Sequence, residues 1–136
     1  MRLFTKLILA GTLLASTMGH GGGGCCSEES VFGPPTESTC PPASTLTYTN
    51  FGQPFMEMYC TRCHATDKMG DARNGAPTFH DFDSLQGIKV VSEHIDETTA
   101  SGPASTNMGM PEDGPMPSLA ERQMLGEWIA CGMPEQ

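Results

Sequence analysis

Basic residues are scarce in this chain. Seven lysines and arginines stand against 16 aspartates and glutamates in 136 residues, a formal net charge of −9. A surface of that sign argues against nucleic acid and against anionic lipid, which both select cationic faces. Long apolar runs are missing as well. The longest, Leu7 to Met18, falls short of the roughly 20 residues that a membrane-spanning helix needs. Strand-like alternation is absent around the one Cys-x-x-Cys, which removes the βαβ context of a dithiol redox pair. No second pair of cysteines or histidines follows at similar spacing, so a four-ligand zinc site has only half its donors.

What is present begins with a leader. Arg2 and Lys6 precede the apolar run, and residues 1–20 read as a secretory signal peptide, cleaved somewhere between Ala15 and Gly24 although no clean A-x-A stands there. Its loss takes the formal charge to about −11, since it removes two cations from a chain at −9. Six cysteines in so short a chain fit an oxidising compartment. An exported, periplasmic protein is therefore expected. Residues 21–45 are Gly, Pro, Ser, Thr and Glu with almost no large apolar residue, the composition of a flexible tether. Cys25 or Cys26 offers a lipidation site, and only then would the protein sit on a membrane. Against it, Gly22 stands where a lipobox prefers Leu.

The chemistry concentrates at Cys60-Thr61-Arg62-Cys63-His64. Two thiols three apart, followed at once by an imidazole, form the attachment pattern of c-type haem. Each of Cys60 and Cys63 can add across a vinyl group to form a thioether, which makes one covalently bound haem c the expected cofactor. His64 is then the proximal iron ligand.

Helical periodicity surrounds the motif. Tyr48, Phe51, Phe55 or Met56, and Tyr59 predict a helix from Leu46 or Thr49 to Cys63. Gly52 inside it costs stability relative to alanine, which a close approach by another helix would repay. Leu85, Ile88, Val91 and Ile95 predict a second helix that starts at Asp83 or Ser84 and ends before Gly102-Pro103. Ser118 and Glu121 fit a capping box for a third, with Leu125, Trp128 and Ile129 as its apolar stripe and Gly132 and Pro134 at its end. The fold class expected is all-α, three main helices with long loops around the haem.

Residues 46–136 resemble the class I (monohaem, His/Met-ligated) cytochromes c. The resemblance rests on CxxCH at the end of the first helix, Gly52 with Phe55 or Met56, and Leu125 with Trp128 on the last helix. It implies a small cytochrome c fold in which the first and last helices cross. It also implies that the carbonyl of Pro77 accepts the His64 Nδ1–H, making His64 a better donor. The distal ligand would be a methionine from the loop before the last helix. Met110-Pro111 is the first candidate, 46 residues after His64, with Met116 and then Met108 as alternatives, and behind them His80, His94 or an open site. If the terminal helices cross, Cys40 and Cys131 come within reach of a disulfide, although Cys40 has Cys25 and Cys26 as rival partners. Filled axial positions suit electron transfer and leave no open site for catalysis. The function implied is a carrier of single electrons between redox partner proteins. A fixed haem relay subunit, or a sensor with a displaceable distal ligand, is the alternative. Redox partners should present a basic docking patch to this acidic surface, while Arg62, Lys68 and Arg73 are expected to form a local positive patch near the motif.

Overall fold

The computed structural model describes residues 32–136. The signal segment, the first part of the tether, and Cys25 and Cys26 lie outside the described residues. Among those described, the protein is all-helical: four α-helices and no strand, only an isolated bridge between Ser101 and Thr106. No helix among them is long and apolar enough to cross a membrane.

The first helical stretch is closed by a capping box that the periodicity alone did not reveal. The Thr47 hydroxyl accepts from the Asn50 amide, and the Asn50 side chain accepts from the Thr47 amide. A wide π turn at Tyr48–Gly52 then leads into α1, Gln53–Tyr59. Pro54 has no N–H to give and crowds the carbonyl four residues back, so the opening of the turn just upstream suits its ring. Helix α1 stops at Tyr59, and the motif itself turns back on the Cys60 carbonyl, which accepts from Cys63 and His64 at 3.1 and 2.9 Å.

The expected middle helix is two. Leu85–Val90 (α2) and Ser92–Thr99 (α3) meet at Val91, whose backbone leaves the helical region. Ile88, Val91 and Ile95 are all buried. Spaced three and four apart, they share one face at 3.6 residues per turn, and the interruption at Val91 leaves all three in one core. Ser84 caps α2 through its hydroxyl, as expected.

The last helix, α4, is Leu119–Ala130, with Ser118 and Glu121 satisfying each other's amides. Glu121 also accepts from the Tyr59 hydroxyl at 2.8 Å, tying the start of α4 to the end of α1. Trp128 and Leu125 are fully buried among Phe51, Phe55 and Met56. A side chain on Gly52 would overlap the Trp128 ring, so the missing Cβ is what lets the two ends of the chain pack together. Burial of Leu125 alone is worth roughly 1.5–3 kcal/mol.

The described part of the tether is not free. Gly33 donates to the Glu97 carbonyl at 2.7 Å, and Thr36, with 1% of its surface exposed, bonds to the Asp96 carboxylate through both amide and hydroxyl. Cys40 and Cys131, separated by 91 positions, are joined as a disulfide with a Cα–Cα distance of 4.7 Å. A polar segment with few apolar residues can thus be ordered by one carboxylate, a few carbonyls and a covalent bond.

Candidate functional site

Between the CxxCH turn, the loop that follows it, α3 and the loop before α4 lies a cavity of about 300 Å³. Cys60, Cys63 and His64 form one part of its wall, and Met110 and Pro111 another. Phe82, Ile95 and Phe32 supply apolar surface. Met116 and Met108 do not line it; both are largely exposed, at 53% and 70%. Of the three loop methionines, only Met110 faces the cavity that holds the motif.

The two motif thiols are unpaired. Burial pushes the Cys60 thiol up to about 12, against the opposing effect of the Arg122 charge. A dithiol redox centre depends on a lowered thiol pKa, and Cys60 is displaced the other way. Burial also lowers the pKa of His64, so its imidazole is held neutral, the form in which a ring nitrogen can donate to a metal. Its ring stacks on Phe82 at 4.5 Å between centroids.

The His64 Nδ1 lies 3.1 Å from the backbone carbonyl of His80. A carbonyl only accepts, so Nδ1 carries the proton and Nε2 keeps the free lone pair. The expected acceptor, Pro77, is not used in this way. Its carbonyl takes the His80 amide at 3.0 Å and a bond from the Arg73 guanidinium. The Pro77–His80 turn that results aims the last carbonyl, not the first, at the imidazole.

Arg73 organises this loop. Its guanidinium is buried and donates to the carbonyls of Ala65, Ala76 and His80 at 2.9, 3.0 and 3.1 Å, and to the Asp81 carboxylate at 2.9 Å. It therefore cannot serve a surface patch. Lys68 pairs with Asp67 and Arg62 with Asp113, so each of the three cations near the motif has an acidic partner and the expected local positive patch is not formed. The Arg62 pair joins the CxxCH turn to the loop before α4, where Gly114 leaves room for the guanidinium.

The Met110 backbone is fixed from both sides. Its amide donates to the Thr98 carbonyl at 2.9 Å, and its carbonyl accepts from Arg122 at 3.0 Å. The same Arg122 nitrogen reaches the carbonyls of Thr99 and Asn107 at 2.7 and 2.9 Å. Neither arginine was singled out as a loop organiser by the sequence. Arg122 stands on α4 three residues before Leu125, in line with the apolar stripe, and that was its only signal.

Among the described residues, no group of three or more His, Cys, Asp or Glu side chains gathers as for a metal ion. The donors here are of another kind: two unbonded thiols, the imidazoles of His64, His80 and His94, and one thioether around a largely apolar cavity. That set fits a covalently attached haem. Compared with family models, with curated proteins and with solved structures, the chain has no match.

Proposed function

We propose that this chain is an exported monohaem c-type cytochrome of the class I kind, carrying single electrons between redox proteins. The observation that carries the reading is one cavity lined by Cys60, Cys63 and His64 and, of the three loop methionines, by Met110 alone; His80 and His94 line it as well, and the Met110→Ala spectrum separates them from Met110. When bound, haem supplies an iron that changes valence by one electron, and thioether plus imidazole favour the ferrous form.

The residues divide the remaining work. Cys60 and Cys63 anchor the group by thioether bonds, and His64 presents Nε2 because Nδ1 is committed to the His80 carbonyl. Met110, fixed through its backbone, would offer its thioether sulfur to the iron. Phe82, Ile95 and Phe32 supply apolar surface against which a porphyrin would pack. Two protein ligands held on separately pinned loops change little in geometry with valence, which suits electron transfer. The acidic surface, at about −11 after removal of the leader from a chain at −9, steers partners that carry a basic face.

Expression in a host that exports and matures c-type cytochromes tests this. The wild type should gain the mass of one haem that resists acid–acetone extraction, and Cys60→Ala with Cys63→Ala should not. Rapid binding of carbon monoxide to the reduced wild type would favour the sensor, with a displaceable Met110. Failure of the wild type to bind haem covalently would overturn the proposal.

A further inference from the structure

We infer that Arg73 is a positioning residue that sets the donor strength of His64, acting through the carbonyl of His80. The inference rests on the proposal that His64 ligates haem iron. The His80 carbonyl accepts from two groups at the same distance, His64 Nδ1 and Arg73 Nη2, each 3.1 Å away. A backbone carbonyl has two lone pairs, and here a cation occupies the second. The guanidinium draws electron density from the oxygen and weakens it as an acceptor for the imidazole N–H. An imidazole whose Nδ1–H is held less strongly has less imidazolate character and is a weaker donor to iron. Weaker donation favours the ferrous state.

The geometry gives this arrangement little freedom. Arg73 is only 5% exposed, and its other nitrogens hold the Ala65 and Ala76 carbonyls. Asp81, at 2.9 Å from Nη1, offsets part of the charge and so limits the effect. Arg73 and Asp81 therefore act on His64 with opposite sign, although neither touches its ring through a bond of its own.

That opposition separates tuning from mere support of the loop. The experiment uses the haem-loaded, full-length protein, equilibrated with a redox dye of known potential. Arg73→Gln should move the equilibrium about tenfold toward ferric, about 59 mV for a one-electron couple. Asp81→Asn should move it toward ferrous. Lys68→Gln removes a neighbouring charge without touching the His80 carbonyl and should change it least. In the ferrous protein, the proton resonance of His64 Nδ1–H should shift in opposite directions in the first two variants and stay in place in the third. Shifts of the same sign in Arg73→Gln and Asp81→Asn, or an unmoved Nδ1–H resonance in both, would overturn the inference. Should Arg73→Gln fail to load haem, a potential in Asp81→Asn that is unchanged or lowered overturns it alone. Absence of covalent haem in the wild type is a different result, one that removes the proposed function and this inference together.

Discussion

The two loops that wall the cavity each depend on a buried arginine, but they are built from different distances along the chain. In the His64 loop, Arg73 reaches carbonyls and a carboxylate only three to eight residues away, and Asp83 ties back to Thr66. In the Met110 loop, Arg122 arrives from α4 across 12 to 23 residues. Asn107 and Ala104 are bonded to Pro34 and Thr36 of the N-terminal strap. Arg73 has a carboxylate partner, whereas Nε and Nη2 of Arg122 are buried without one. The His64 side can organise itself locally; the Met110 side exists only when the ends of the chain are in place. On the proposed reading, the motif histidine would thus sit on a self-contained loop and the methionine ligand on one that depends on the rest of the fold.

The largest way to break this asymmetry is to remove the disulfide. Closing a loop of 91 positions is worth about 4–5 kcal/mol on the chain-entropy account. Cys40→Ser with Cys131→Ser should lose about that much in urea unfolding, and amide exchange should rise more in residues 100–117 than in 65–82. Equal loosening of the two loops would contradict the comparison.

Next come the arginines themselves. Arg73→Ala leaves Asp81 and several carbonyls without their donor and should cost about 3 kcal/mol, near the low end for breaking a buried pair. Gly52→Ala forces the helix crossing apart at Trp128 and should cost about 2 kcal/mol, with amide exchange again rising more in the Met110 loop than in the His64 loop. Arg122→Met should cost least, about 1 kcal/mol, because lost carbonyl bonds are offset by removal of an uncompensated buried cation. Urea midpoints of the three variants give the order directly.

The smallest effect is that of pH on the haem-free chain. Burial lowers the pKa of His64 and of His80 below 6.5, and for His80 the neighbouring His94 and Arg73 act in the same direction. Below that value the unfolded chain binds more protons than the folded one, so stability rises with pH through the window just under 6.5 and is lost on acidification. His64→Phe should flatten the profile, as read by thermal unfolding between acid and neutral pH.

Much of this was legible in the residues. CxxCH and the Ser118 capping box announce themselves through side-chain type at a fixed spacing, while the Gly52–Trp128 contact and the place of Met110 at the cavity followed only from the resemblance to the class I cytochromes c. What was not legible depended on backbone direction. Pro77 and His80 both end carbonyls near the imidazole in sequence, and only the turn between them decides which one points at Nδ1. The break at Val91 lies inside an unbroken helical pattern. The strap at residues 33–38 looks like a linker because one carboxylate, Asp96, provides what apolar residues usually do. Arg73 was taken for a surface charge because all but one of its partners are carbonyls, which leave no mark in a sequence.

The central claim is that His64 and Met110 close one haem from its two sides. The absorption spectrum of the exported ferric protein, wild type against Met110→Ala, tests it most directly. The account predicts a weak iron–sulfur charge-transfer band in the wild type that is lost in Met110→Ala and kept in Met116→Ala and Met108→Ala. Persistence of that band in Met110→Ala would contradict it.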